Sequence, residues 1–330
     1  MPTLRSRLAP SSSTSSAARG GPGTPSGSSP ATPAHRVSGR LAGLVWLTLC
    51  GIWGSTWLAI KLGLRDLPPI TFAGIRFALA GAVLFAIIWL SGARLPRSRR
   101  EWILLGYTGL LSITVNYALV FWGEQYISSG LAALLSATVP LFGLPLAHRY
   151  LQSEPLTLRK GVGVVLGILG VAIVFSGELG IGGPVALWAS VGIIIAALAT
   201  AHAGVLVKAG GTHIEPSVLA GVQMVGGCVP LLLVGFGLEG SPLHFHWTPL
   251  ALACLAYLTI VGSVIAFLMY YWLIRHTEVS GVLMIPLVTP LVAVLFGVLF
   301  AGEIVGWHTA LGGMAIIGGV ALTILRIGER

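Results

Sequence analysis

The side chains that could do chemistry in this sequence are polar or aromatic residues that interrupt long apolar stretches. Arg76 and His202 lie within such stretches, and Glu124 lies just past the end of one. If these stretches cross a lipid bilayer, ionisable groups inside them are costly and usually face a substrate pathway, a proton relay or a partner side chain. The chemistry that these residues indicate is therefore solute recognition or proton coupling.

Arg76 lies about one and a half helical turns inside its apolar stretch. At that depth it either extends to the outer interface or faces a cavity, where it would receive an anionic group such as a substrate carboxylate. Gln223 stands at the matching place 147 residues later. Its amide can both donate and accept hydrogen bonds, so we expect Gln223 to face other helices.

His202 suits proton coupling because an imidazole titrates near neutral pH, although a lone histidine in a helix is more often a hydrogen-bonded packing residue. Asn116 presents the same two alternatives without the titration. We expect Glu124 to be solvated at the outer side. If Glu124 were buried, it would be a better proton carrier than His202.

Trp53 and Tyr257 lie deeper in their apolar stretches than Trp57, Trp122 and Trp272, which lie near stretch ends and are typical of an interfacial aromatic belt. An aromatic-lined cavity with a few polar groups is what a small organic substrate needs. The predicted substrate-binding residues are Trp53, Thr56, Arg76, Asn116, Gln223 and Tyr257, and the proton-coupling candidates are His202 and Glu124.

The sequence shows no pattern for catalysis, for a cofactor or for a metal. Paired carboxylates, a Ser/His pair and a phosphate-binding G-x-x-x-x-G-K-[ST] loop are all absent from the apolar stretches. Cys50, Cys228 and Cys254 have no paired spacing and are read as small packing residues. We therefore predict a protein that is not an enzyme and that holds no cofactor and no metal.

Composition predicts a membrane protein, since 55% of the residues are hydrophobic and only 9% are charged, against roughly 25% charged residues in a soluble domain. The net charge of +9 does not indicate nucleic-acid binding, because the basic residues lie in short segments between apolar runs. The predicted partners are a lipid bilayer and a small-molecule substrate.

Apolar stretches of about 20 residues follow one another from Leu41 onward, which is the helical length that crosses a hydrocarbon core of ~30 Å. Backbone groups in lipid must satisfy their own hydrogen bonds, so these stretches are predicted to be helices. The ten predicted spans are 41–61, 70–90, 102–122, 127–147, 158–176, 184–206, 216–236, 249–272, 279–300 and 305–325. The expected fold is an all-α integral membrane protein.

The chain repeats its own pattern after 147 to 150 residues, as Lys61 and Lys208 or Pro140 and Pro290 illustrate. The pattern divides it into a first repeat at 41–176 and a second at 184–325. Because five helices is an odd number, the two repeats must have inverted topology. Duplicated halves of this kind are typical of secondary transporters, whose substrate site lies between the repeats near the midplane.

The positive-inside rule places both termini in the cytoplasm, because only Lys61 and Arg65 then lie outside. Residues 1–38 are rich in Ser, Gly and Pro and are predicted to be a disordered tail. The arginines and serines of this tail, without acidic residues, resemble an organellar transit peptide. We favour an ordinary cytoplasmic tail, or residues from an upstream start codon.

Glycines at helical spacing in the fifth and tenth spans permit close approach of helices. We favour packing within the bundle, and a homodimer interface is the alternative. Glu154 and Glu303 precede these spans and are read as helix caps. Pro140 and Pro290 are predicted to bend the fourth and ninth helices at matching places.

Several motifs in order resemble one family. They include Trp53-Gly-Ser-Thr-Trp-Leu-Ala-Ile-Lys61, Ser129-Gly-Leu-Ala-Ala-Leu-Leu through Pro140, and Ser280-Gly-Val-Leu-Met through Pro290. This pattern resembles the EamA-type branch of the drug/metabolite transporter superfamily, over everything after about residue 41. The resemblance implies two such domains in ten helices, with a central cavity that alternates its access between the two sides.

The expected function is a secondary transporter of the inner membrane, working as an exporter of small metabolites such as amino acids or related amphipathic compounds. Its energy would come from a gradient, with proton antiport as the hypothesis. The alternatives are a structural or assembly membrane protein without transport activity and an organellar metabolite exchanger.

Overall fold

The structure is a computed structural model, and it describes residues 39–151, 157–181, 183–277, 282, 285–302 and 304–324. These residues belong to one unit that spans Val37–Arg330. The tail predicted at 1–38 and the helix caps predicted at Glu154 and Glu303 lie outside the described residues.

All regular structure in the described ranges is helical. Numbered along the chain, the helices are α1 (Gly39–Gly63), α2 (Pro69–Ser91), α3 (Arg99–Gly123), α4 (Ser129–Tyr150), α5 (Leu158–Ile181), α6 (Gly183–Gly210), α7 (Pro216–Glu239), α8 (Pro249–His276), α9 (Ile285–Ala301) and α10 (Trp307–Ile324). A short 3₁₀ turn, Pro242–His244, precedes α8.

Seven of these helices, α1 to α4 and α6 to α8, are long and apolar enough to cross a membrane. Within the described residues α5 and α9 carry shorter apolar segments, Gly161–Ile173 and Val288–Ala301. The predicted all-helical membrane protein is confirmed at this level. The predicted number of spans and their division into two inverted repeats stay predictions.

The helix starts follow from local sequence. Ser98 caps α3 in a capping box with Glu101, and Thr248 caps α8 by accepting a hydrogen bond from the backbone N–H of Ala251. Proline opens α2, α7 and α8, where its missing N–H costs no helical hydrogen bond. These signals set where the chain turns back on itself.

Helices α5 and α10 pack backbone against backbone through their glycines. A Cβ atom on Gly170 would lie 2.6 Å from the carbonyl oxygen of Gly312, and one on Gly319 would lie 2.5 Å from that of Gly163. Only glycine permits this approach. These glycines therefore serve packing within the bundle, as the favoured interpretation expects.

Helix α2 packs against α7, α1 against α9, and α6 against α4. Glycines permit close contact here as well, because a Cβ atom on Gly54 of α1 would lie 2.4 Å from Cβ of Val292 in α9. Every one of these pairs joins a helix from the first half of the chain to one from the second half. The two halves therefore share one continuous core.

Helices α3 and α8 each contain a π-helical segment, Leu110–Val115 and Ile260–Ile265, and the two segments lie 150 residues apart in the sequence. A π-helical turn widens a helix by one residue and often occurs at a functional site. This separation of 150 residues matches the offset of the sequence repeat. Apolar periodicity alone predicts neither segment.

The predicted matching bends at Pro140 and Pro290 differ in outcome. Helix α4 is interrupted after Ser136 and resumes at Val139, so that Pro140 lies in the first turn of the second part. Helix α9 continues through Pro290 without interruption. The same residue therefore separates two helical parts in α4 and lies within one helix in α9.

Candidate functional site

A cavity of about 180 Å³ lies among α1, α3, α4, α6, α7, α8 and α9. Its aromatic lining consists of Trp53, Trp57, Tyr117, Phe267, Tyr270 and Tyr271. Its polar lining consists of Thr56, Ser112, Asn116, Ser136, Thr200, Gln223 and Thr289. The described lining residues include no Asp, Glu, Lys, Arg or His. The cavity is thus a neutral, aromatic site with several hydrogen-bonding groups, as small-molecule sites usually are.

The structure brings together Trp53, Thr56, Asn116 and Gln223, four of the six residues predicted to bind substrate. Arg76 and Tyr257 are not among the lining residues. Tyr257 instead shares a hydrogen bond of 2.5 Å between its hydroxyl and the hydroxyl of Ser55 in α1. It therefore joins α8 to α1 beside the site.

Gln223 is held in one orientation by two side chains. Its Nε2 donates to Thr108 Oγ1 at 2.7 Å, and its Oε1 accepts a hydrogen bond from the Tyr271 hydroxyl. Thr108 in turn donates to the carbonyl oxygen of Leu104 at 2.7 Å. Since Gln223 is only 1% exposed, this network satisfies a buried amide and places it at the cavity wall.

Trp53 and Asn116 are two of the cavity groups with hydrogen-bonding capacity left over. The Trp53 ring contacts Phe267 and Tyr270 at centroid distances of 5.9 and 5.2 Å. Its indole Nε1 is buried and has no hydrogen-bond partner among the described residues. The side chain of half-buried Asn116 hydrogen-bonds to none of them either. A solute in the cavity would meet both groups.

Arg76 lies inside the bundle and does not extend to the surface, since it is 1% exposed. Its Nε donates to Ser263 Oγ at 2.9 Å, and its Nη2 donates to the carbonyl oxygen of Gly262 at 3.3 Å. The guanidinium lies 4.8 Å from the ring centroid of Phe77 and 5.0 Å from that of Tyr117. Because Tyr117 lines the cavity, Arg76 lies one aromatic ring behind the wall.

The expectation that Glu124 is solvated is wrong, because its exposed fraction is 0%. The segment around Glu124 is drawn inward by Lys61, whose Nζ donates to the carbonyl oxygens of Glu124 and Ile127 at 2.5 and 2.8 Å. The carboxylate of Glu124 also interacts electrostatically with Arg76. Opposite charges on these buried side chains offset part of the cost of removing them from water.

His202 does not line the cavity. Its ring packs against Tyr107 and Tyr150, with centroid distances of 5.8 Å to each. His202 thus packs between two tyrosines, and its part in proton coupling stays a prediction. Within the described ranges, no group of three His, Cys, Asp or Glu residues is placed to hold a metal ion.

Sequence reasoning missed several aromatic lining residues. The position of Trp57 near a stretch end predicts an interfacial residue, yet Trp57 lines the cavity. Phe267, Tyr270 and Tyr271 also line it, and their spacing of three and four residues puts them on one face of α8. That spacing was the signal that could have identified this wall.

Comparison with known proteins gives the chain its relatives. The sequence profile of the EamA-like transporter family matches residues 41–176 and 187–325. The uncharacterized transporter YoaV of Bacillus subtilis is 27% identical over 299 residues, which cover 88% of this chain and 98% of YoaV. The uncharacterized inner membrane transporter YedA of Escherichia coli is 32% identical over 257 residues, which cover 76% and 80%.

A solved crystal structure matches with a TM-score of 0.64 at 19% identity, covering 88% of this chain and 100% of the other, which is a likeness of fold. The profile match covers both halves of the sequence, and the apolar helices agree with a transporter family of the membrane. This multi-pass membrane protein belongs to the EamA-like transporter family.

Proposed function

We propose that the protein is a secondary transporter that exports small metabolites, such as amino acids or related amphipathic compounds, through the aromatic cavity. The observation that carries the proposal is the origin of the lining: α1, α3 and α4 contribute from the first half of the chain, and α6 to α9 from the second. A site shared by two halves can open to either side when the halves move relative to one another.

In this proposal the chain has ten spans in two inverted five-helix repeats, at 41–176 and 184–325. Corresponding contacts support the repeat. Lys61 Nζ donates to the carbonyl oxygen of Glu124, and Lys208 Nζ donates at 3.4 Å to that of Ile274, which is 150 residues further on. The two π-helical segments have the same spacing.

The protein would lie in the inner membrane with both termini in the cytoplasm, in accord with the distribution of its basic residues. A proton gradient would drive export. Glu124 is the better candidate for the coupling group, because it is fully buried and interacts with Arg76, whereas His202 packs between two tyrosines away from the cavity.

The test is counterflow in proteoliposomes, with a panel of labelled amino acids, sugars and nucleobase-like compounds. Trp53→Ala removes a cavity wall, and Trp188→Ala is the matched control, because Trp188 lies on α6 with an exposed fraction of 64%. We expect at least one compound to exchange, with exchange lost in Trp53→Ala and kept in Trp188→Ala. Normal exchange in both variants, or in neither, would contradict transport through this cavity.

A failure of every compound to exchange would favour the structural or assembly alternative.

The direction of transport and its coupling to protons need a second measurement, which is efflux with and without an imposed pH gradient. Export that is unchanged by the gradient in the wild type and in Glu124→Gln would remove proton antiport and leave facilitated exchange.

A further inference from the structure

Among the described residues, the lining of the cavity offers no counterion to a charged solute. Its described lining holds aromatic rings, hydroxyl groups and two amides, and no ionised side chain. A charged group that leaves water for such a site loses its hydration without gaining an ion pair, whereas a neutral polar group is compensated by hydrogen bonds alone. A zwitterion would lose the hydration of two ionised groups.

The unpaired polar groups of the cavity fit the edge of a neutral polar compound. Trp53 Nε1 is a buried donor without a partner among the described residues, and it calls for an acceptor on the solute. The Asn116 amide offers a donor and an acceptor. The Trp53, Phe267 and Tyr270 rings pack against one another at tilted or edge-on angles, and all three line the cavity.

Aromatic walls can also attract cations through their negative ring faces, which would favour a different class of solute. Here Arg76 already provides a cation behind the wall, 5.0 Å from the ring centroid of Tyr117. A second positive charge in the cavity would be repelled by Arg76. Glu124 interacts with Arg76 and offsets part of this repulsion, but Glu124 is not among the described lining residues and contributes no carboxylate to the wall.

The size of the cavity limits the solute further. Its volume is about 180 Å³. That is room for a compound of one small ring with a polar substituent. Ring faces on the wall then stack with the solute, which adds affinity beyond simple burial of area.

We propose that the cavity selects uncharged, planar ring compounds with a polar edge, and that it discriminates against cations and zwitterions. This inference rests on the proposed transport function and restricts its substrates to the uncharged amphipathic compounds, which excludes zwitterionic amino acids. Trp53 and Asn116 determine the specificity by hydrogen bonding to the polar edge, and Arg76 repels cations from behind Tyr117.

The test compares three pyridine compounds of similar size that differ in charge: nicotinamide, which is neutral, nicotinate, which is an anion, and 3-(aminomethyl)pyridine, which is a cation near neutral pH. Binding to the purified full-length protein in detergent is measured by isothermal titration calorimetry. We expect nicotinamide to bind at least tenfold more tightly than the cation, and more tightly than the anion. Equal affinities, tighter binding of a charged compound, or no binding at millimolar concentrations would overturn the proposal.

Asn116→Asp places a carboxylate in the cavity at nearly constant size, at a residue that makes no side-chain hydrogen bond with the described residues. We expect this variant to gain at least tenfold in affinity for the cation, while Asn116→Ala loses affinity for nicotinamide without that gain. An unchanged affinity for the cation in Asn116→Asp would place the solute elsewhere and overturn the proposal.

Counterflow separates the two proposals. Exchange of zwitterionic amino acids in preference to neutral ring compounds would overturn the selectivity and leave transport standing. Selective binding of nicotinamide without any exchange would support the selectivity and contradict the proposed transport.

Discussion

Arg76 of α2 donates a hydrogen bond from Nε to Ser263 Oγ, 2.9 Å away, in the π-helical segment of α8. Ser263 Oγ in turn donates a hydrogen bond to the carbonyl oxygen of Leu258 at 2.9 Å. Gln223, at the corresponding place on α7, bonds instead to Thr108, which lies just before the π-helical segment of α3. A charged residue thus joins α2 to α8, and a neutral residue at the matching place of the sequence repeat joins α7 to α3.

The Arg76–Ser263 contact predicts a coupled loss of stability. Removing one partner of a buried, charge-assisted hydrogen bond costs about 1.5–3 kcal/mol. We expect Arg76→Gln and Ser263→Ala each to lower the unfolding temperature in detergent, and the double variant to lose less than the two single losses combined. Additive losses would show that the two residues act independently.

Tyr271 and Tyr270 provide a matched pair for testing the Gln223 network. Tyr271→Phe removes the donor to Gln223 Oε1 and leaves a buried acceptor unsatisfied, at a cost of about 1–3 kcal/mol. Tyr270→Phe removes a hydroxyl that has no hydrogen-bond partner among the described residues, so its stability should change little. Thermal unfolding of the two variants measures the difference, and equal losses would count against the network.

The glycine contact between α5 and α10 predicts a strong effect of one methyl group. Gly170→Ala would place Cβ 2.6 Å from the carbonyl oxygen of Gly312, and neither backbone can yield without separating the helices. Overpacking of this kind costs typically about 1–3 kcal/mol, occasionally more. We expect a reduced yield of monodisperse protein in size-exclusion chromatography.

Gly161→Ala is the control for that experiment. Gly161 lies on the same helix, and a Cβ atom there would have no neighbour within 4 Å. A normal yield of Gly161→Ala beside a reduced yield of Gly170→Ala is the expected result. Similar behaviour of the two variants would mean that helix propensity, not the contact with α10, governs the outcome.

The proposed orientation predicts a labelling pattern for introduced cysteines. Leu243, in the turn before α8, is 89% exposed and would face outward, whereas exposed Arg94, between α2 and α3, would face the cytoplasm. The native cysteines Cys50, Cys228 and Cys254 are free and buried, so they should give little background. A membrane-impermeant maleimide should label Leu243→Cys in intact cells.

Arg94→Cys should become labelled only after the membrane is permeabilised. Labelling of both variants in intact cells would be incompatible with the proposed topology. The reverse pattern would invert the orientation and place the termini outside.

The amino-acid sequence by itself determined where the helices lie and to which family the chain belongs. Apolar stretch length and helix-start residues such as Ser98 and Pro216 act locally, so they can be read without knowing the neighbours. Trp53, Thr56, Asn116 and Gln223 could be predicted because polar or aromatic side chains deep in apolar helices have few alternatives to an interior cavity.

The tertiary structure alone decided the surroundings of the charged residues. The sequence allows Arg76 either to extend to the outer interface or to face a cavity. The fold brings Ser263, Gly262 and Tyr117 to it from distant parts of the chain and holds it inside the bundle. Glu124 was expected in solvent and is buried, because its segment packs against Lys61 of α1. Burial and pairing depend on which helices meet, and contacts between residues far apart in sequence carry no local signal.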